Sequence, residues 1–319
     1  MHAVPEPKLE IARRRIWVDL LLYPAHTLPT AAAPVLVGVG LAVHDHVFAI
    51  LPALLAFVGS WLIHVAGVFT DNHELLRRHP AVVEHPELTQ ALKDGTLTLA
   101  QLRLAIAGLL ALALPTAVFF WHVGGMAAVV IGLAGVFASL AYAGGPLPYA
   151  RAGLAECVFF VMFGIVAVAG TYFAQVAWLR SAASLPIPQL DSLPLAAFVV
   201  GWPVGALVTN VLLIDDLRDR PFDAVKGWRT IAVRNGVGGS RAAYLSLSLL
   251  AYLAPFLFWT VLGFGPGVLL PVLTLPLAWH LGRAIREQET PADLVPMTPR
   301  ASLLCCLYAA LLAFGLAIA

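Results

Sequence analysis

Four of the 18 acidic residues of this 319-residue chain fall within nine positions: Asp215, Asp216, Asp219 and Asp223. Asp215, Asp219 and Asp223 recur at i, i+4 and i+8, so they line one face if the helix that carries them continues. Carboxylates stacked that closely repel one another unless a cation lies between them. Ligands that offer only oxygen select Mg²⁺ or Ca²⁺ over zinc. The plain alternative is a solvated acidic helix end, partly neutralised by Arg218, Arg220 and Lys226. A second, weaker cluster is Asp71, Asn72, His73 and Glu74, with Asp71 and Glu74 on one helix face and Arg78 one turn beyond. Its own alternative is an ordinary polar helix end.

The elements that must position these residues follow from composition. The chain is 60% hydrophobic and 12% charged, with a mean hydropathy of +0.86; an ordinary soluble domain carries about 25% charged residues. Soluble, disordered, fibrous and nucleic-acid-binding classes are excluded, so nucleic acid is not a partner and membrane lipid is. Apolar stretches long enough to span, about 20 residues each, fall near 17–42, 47–70, 99–121, 125–143, 153–177, 193–214, 242–263, 267–282 and 301–318. The expected fold is therefore all-α: a polytopic membrane bundle of nine transmembrane helices in one domain, 1–319. Of the 19 Lys and Arg residues, 18 fall on one side of that topology and Arg180 on the other. The positive-inside rule then places the N-terminus and both acidic segments, near 71–98 and 215–241, in the cytoplasm, with Arg13-Arg14-Arg15 anchoring the first span. The segment before Arg15 is polar and lacks the small-residue cleavage site of a signal peptide. Cys157, Cys305 and Cys306 lie in apolar runs without metal-ligand spacing, which argues against redox or zinc chemistry. Each acidic cluster closes the second helix of a four-helix half, on the same membrane side. Two acidic helix ends converging on one cavity among arginines and lysines would suit a Mg²⁺-bridged diphosphate.

Several segments also match a family. Leu217-Arg218-Asp219, then Asp223, then Gly227-Trp228-Arg229-Thr230-Ile231-Ala232-Val233-Arg234-Asn235-Gly236 form one such segment. The stretch from Tyr142 to Gln175 is a second, and Pro24-Ala25-His26-Thr27-Leu28-Pro29 through Ala33-Pro34-Val35-Leu36-Val37-Gly38 is a third. Ala91-Leu92-Lys93-Asp94-Gly95-Thr96-Leu97-Thr98 fits as well. Together these resemble the UbiA-type intramembrane prenyltransferases, most closely the 1,4-dihydroxy-2-naphthoate polyprenyltransferase branch of menaquinone synthesis. The resemblance covers nearly the whole chain, with its segments in the family's order. Its departures are specific. The first aspartate motif is remodelled to Thr70, Asp71, Glu74 and Arg78; Tyr23 replaces an opening arginine; and Asp215-Asp216 stands where the branch has Asn-Asn.

The resemblance implies transfer of a polyprenyl group from an allylic diphosphate to an aromatic acid or other quinone precursor, in the bacterial inner membrane. The metal, Mg²⁺ with Mn²⁺ as a substitute, would be held by Asp71, Asp219 and Asp223 as the catalytic carboxylates, with Glu74 and Asp215 assisting. Arg78, Arg218, Lys226, Arg229 and Arg151 are the expected diphosphate contacts. Arg78 can reach a diphosphate oxygen or pair with Glu74, and has a second reading as a cytoplasmic anchor beside Arg77; Arg151 has a second reading as an anchor. His64, two turns before Asp71, and Tyr142 and Tyr172 are candidates for contact with acceptor or prenyl chain, against plain packing. Glu156 is an isolated intramembrane carboxylate and so a site candidate, with pairing to nearby Arg151 as its alternative, while His280 reads as interfacial. Two alternatives stay open: the same enzyme type with a different acceptor (a benzoate, a tocopherol-type precursor or a lipid alcohol), and a carrier that performs no chemistry. A carrier would show a charged path to the far side, where Arg180, Asp45 and Asp191 are the obvious charges.

Overall fold

The computed structural model describes residues 17, 27–146, 148–288 and 290–319. Arg13-Arg14-Arg15, Tyr23 and the Pro24-Ala25-His26 part of the opening segment lie outside the described residues. Helices α1 (Thr27–His44), α2 (Ile50–Arg78), α3 (Pro86–Lys93), α4 (Leu99–Leu140) and α5 (Tyr149–Ala152) come first. Then follow α6 (Ala155–Ala182), α7 (Leu195–Lys226), α8 (Ile231–Thr260), α9 (Pro266–Glu287) and α10 (Ala292–Ala317). There is no strand among the described residues.

Seven of these helices are long and apolar enough to cross a membrane: α2, α4 and α6 to α10. Two of the nine stretches in the sequence account for the difference in number among the described residues. The described part of the first stretch is the 18-residue α1. The third and fourth stretches merge into α4, 42 residues in all. A straight helix of that length would be about 63 Å long, roughly twice the hydrocarbon core. It is not straight. Gly125 sits at φ 57° and ψ −146° inside it, a conformation an L side chain adopts only with strain. The packing shows the consequence. A methyl added to Gly59 would lie 2.8 Å from the Thr116 hydroxyl, while Ser139 Oγ donates to the Ile63 carbonyl at 2.7 Å. Thr116 and Ser139 lie on opposite sides of Gly125, yet they reach the same turn of α2, so the two legs of α4 double back along it.

The acidic segments are more helical than loops would be. α2 runs on to Arg78 and α7 to Lys226, with α3 between α2 and α4. α7 is the central helix: 83% of its apolar window is buried, against α8, α10, α6 and α1. Leu41, Val168, Phe173, Val204, Phe258 and Tyr308 form the core around it. Outward-facing Leu104, Val130, Leu133 and Phe137 are exposed on α4, which suits contact with lipid tails. A π turn, Met162–Val166, widens α6 where Met162 and Phe163 face the interior cavity.

Candidate active site

A single large cavity of about 1000 Å³ runs between α2, α4, α6 and α7. Its walls are largely apolar, and its charged residues are gathered where α2 and α7 end. Asp71 enters from α2; Asp215, Asp216, Arg218, Asp219 and Asp223 enter from α7; Glu84 comes from the loop before α3. The two acidic clusters therefore meet, and Asp71 lies in the electrostatic field of Lys226, Glu84, Asp223 and Asp219. The i, i+4, i+8 row on α7 holds because the helix continues through Pro221 to Lys226. It stops there because Gly227 takes the left-handed conformation at φ 74°, as a helix C-terminus favours. The turn brings Trp228 back under Lys226, and Thr230 begins α8, its hydroxyl accepting from the Val233 N–H at 3.4 Å.

Carboxylates in the last turns of a helix face the negative end of its dipole, so cations must hold them. Arg218 Nη1 lies 2.6 Å from Asp215 Oδ1, and its Nε and Nη2 grip Asp219 at 2.8 and 2.5 Å. Thr298 donates to Asp215 at 2.7 Å. Lys226 Nζ lies 2.9 Å from Asp223, 2.7 Å from Glu84 and 3.9 Å from the centre of the Trp228 ring. Asp223 and Lys226 are 2% and 3% exposed. The Oδ2 of Asp216, a residue 3% exposed, has no hydrogen-bond partner among the described residues.

The structure sorts the sequence candidates. Asp71, Asp215, Asp219, Asp223, Arg218, His64 and Tyr142 line the cavity. Glu74 turns away from it, held by Arg77 at 2.6 Å, Arg78 at 2.5 Å and His73 at 2.9 Å. Arg78 also donates to the Gly145 carbonyl at 2.5 Å. With Glu74, Arg151 and Lys226 it lines a small void beside the main cavity. Arg151 reaches toward the Lys226 carbonyl at 3.5 Å, and Arg229 is exposed. Thr70 donates back to the Ala66 carbonyl at 2.8 Å. Tyr172 lies apart, donating to Asp45 at 2.5 Å. Glu156 accepts from the Ile231 N–H at 2.5 Å, a carboxylate placed at the start of α8, where the dipole favours it. His64 meets Phe163 edge to face at 5.5 Å, and Tyr142 meets Trp228 at 5.3 Å. His79, just beyond α2, is held below the usual imidazole range by partial burial and by the cations Arg151, Lys226 and Arg78.

Sequence reasoning missed Glu84, Trp228 and the separate place of Asp216. Asp216 carried a signal, since it shares a face with Asp223 two turns on. Glu84 carried none, because a glutamate in a polar loop reads as solvated.

The donor set suits a hard divalent cation: it is all oxygen, and it holds more carboxylates than the paired cations Arg218 and Lys226 neutralise. Among the described residues no group of three or more His, Cys, Asp or Glu is close enough to hold a metal ion alone. Mg²⁺ needs no such cage where one or two carboxylates act with substrate phosphates.

Comparison with known proteins shows the family and the fold. A family model described as the UbiA prenyltransferase family matches residues 31–297. A 1,4-dihydroxy-2-naphthoate octaprenyltransferase of Mycobacterium tuberculosis is 30% identical over 305 residues, covering 91% of this chain and 94% of that protein. One of Escherichia coli is 26% identical over 307 residues, covering 91% of each. Among solved structures, the apo UbiA homolog from Aeropyrum pernix K1 superposes with a TM-score of 0.67 at 16% identity, over 92% of this chain and 98% of that one. A UbiA homolog from Archaeoglobus fulgidus bound to DMAPP and Mg²⁺ superposes with a TM-score of 0.55 at 16% identity, over the same shares. At such identities the likeness is one of fold.

Proposed function

This chain belongs to the UbiA prenyltransferase family and is a prenyltransferase, and from that premise we propose that it transfers a polyprenyl group from an allylic diphosphate to 1,4-dihydroxy-2-naphthoate or a closely related aromatic acid. Family membership makes it an enzyme rather than a carrier. The observation that carries the reading is the joining of both acidic helix ends in one cavity whose remaining walls are apolar. The names of the curated relatives support the acceptor, and the DMAPP- and Mg²⁺-bound neighbour supports the donor class and the metal.

In this reading Asp71, Asp219 and Asp223 would hold magnesium where the acidic ends of α2 and α7 meet, and the metal would supply neutralising charge for the departing diphosphate. Lys226 and Arg218, now paired with those carboxylates, turn charge-assisted hydrogen bonds to the phosphate oxygens when the donor enters. Behind them Tyr142, Phe159, Phe163 and Trp228 line the cavity. Their faces border the allylic cation left by ionisation, and the apolar walls keep water from trapping it before the aromatic ring attacks. Loss of CO₂ from the acceptor as it is alkylated follows from the resemblance to the menaquinone branch.

We place the chain in the bacterial inner membrane with α1 and both legs of α4 each crossing it, nine crossings in all, and with the acidic mouth toward the cytoplasm. The experiment that tests the function is incubation of the purified protein with labelled polyprenyl diphosphates and a panel of aromatic acids, followed by mass measurement of the products. Prenylated naphthoquinol precursors are expected. Transfer to a benzoate or a lipid alcohol instead would replace the acceptor, and no transfer to any acceptor would end the proposal.

A further inference from the structure

Asp216 is the buried group for which the diphosphate chemistry has no use. It lines the cavity and is 3% exposed, less than Asp215 or Asp219, and its Oδ2 has no partner among the described residues. The neighbouring carboxylates are all engaged: Asp215 and Asp219 by Arg218, Asp223 by Lys226 and Glu156 by the Ile231 N–H. An unpartnered carboxylate oxygen buried against an apolar wall is costly unless a donor arrives.

Its depth indicates which donor. Asp216 lies seven residues before Asp223 on one helix, about 10 Å further from the C-terminal end of α7, where the diphosphate-binding groups of the proposed reading gather. In that reading the diphosphate sits among Asp219, Asp223 and Lys226, so the allylic carbon and the attacking ring belong further along α7, at the level of Asp216. Tyr142 also lines the cavity, within the fields of the Asp216, Asp71 and Asp223 carboxylates and edge-on to Trp228 at 5.3 Å, so it spans the space between Asp216 and the diphosphate-binding groups. A flat aromatic ring fits between such walls, and the group it can offer a carboxylate is a hydroxyl. Its own carboxylate would be repelled and would point away.

We propose that Asp216 is the specificity-determining residue for the acceptor, accepting a hydrogen bond from a ring hydroxyl and setting the ring's orientation toward the prenyl carbon. This rests on the reading of the cavity as a prenyltransferase site with an aromatic acceptor. A hydroxylated ring binds in preference to the same ring without the hydroxyl, because the bare analogue leaves the Asp216 oxygen unpaired.

The test is calorimetric binding by the full-length protein in detergent, with 4-hydroxy-2-naphthoate, whose hydroxyl is remote from its carboxylate, and 2-naphthoate as probes. The wild type is expected to bind the hydroxylated acid about tenfold to a hundredfold more tightly, the range for a hydrogen bond to a charged group. Asp216→Ala should erase that preference while leaving the dissociation constant of a polyprenyl diphosphate with Mn²⁺ within about twofold. Should Asp216→Ala not yield folded protein, Asp216→Asn, of nearly the same shape, should cut the preference about threefold or more, since its amide oxygen is uncharged. A wild type without preference, a variant that keeps it, or a variant that instead loses diphosphate and Mn²⁺ binding would overturn the proposal. Absence of turnover with every aromatic acid would sink the acceptor reading by itself, whereas the binding preference decides Asp216 independently of turnover.

Discussion

The carboxylate of Glu84 lies 2.7 Å from the ammonium of Lys226, although 142 residues of chain separate them. The pair ties the loop that follows α2 to the last turn of α7, and so joins the two acidic helix ends across the halves of the bundle. Lys226 is shared further with Asp223 and the Trp228 ring. Removing one member of a buried pair strands the other's charge.

Glu84→Gln and Lys226→Met should therefore each lower stability by about 3 kcal/mol. The double variant should fall short of their sum by about 1–3 kcal/mol. Unfolding of all four proteins in one detergent measures this. Strict additivity would show that the two residues act separately.

Metal removal should abolish transfer, with Mg²⁺ or Mn²⁺ restoring it. Asp219→Ala and Asp223→Ala should each lower turnover by about a hundredfold or more in protein that elutes as a folded species. Full turnover in EDTA would exclude the metal-assisted step.

Arg78 is spent on Glu74 and on the Gly145 carbonyl, outside the main cavity. Arg78→Ala is accordingly expected to cost about 1–3 kcal/mol of stability while both KM values stay within about twofold. A rise in the KM of the prenyl diphosphate alone would instead give Arg78 a direct part in donor binding.

Membrane topology offers a fourth check. Met126, exposed next to the break at Gly125, should sit on the same side as Arg180 if the legs of α4 each cross the membrane. A cysteine at Met126 should react with an impermeant reagent added outside intact cells, and one at Lys93 should not. Protection of the Met126 site would mean that the turn at Gly125 lies within the bilayer or on the cytoplasmic side.

What the sequence determined by itself is what depends on near neighbours. The apolar runs gave the helices, since a backbone in lipid must satisfy its own hydrogen bonds. The spacing of Asp215, Asp219 and Asp223 put them on one face, since helix periodicity relates residues a few positions apart. The motifs carried the family. What only the tertiary structure decided is how residues far apart in the chain divide one another's charge. Asp71 and Glu74 share a helix face and differ in sequence position by one turn. Yet Asp71 faces the cavity while Glu74 is claimed by Arg77 and Arg78. Glu84, silent in the sequence, enters the site because the packing of α2 and α7 brings it to Lys226. Asp216 keeps an Oδ2 with no hydrogen-bond partner among the described residues, while Arg218 and Lys226 are engaged by its neighbours. Ion pairing is a competition settled by distances of a few ångströms, and those distances are set by how helices pack, which no local pattern encodes.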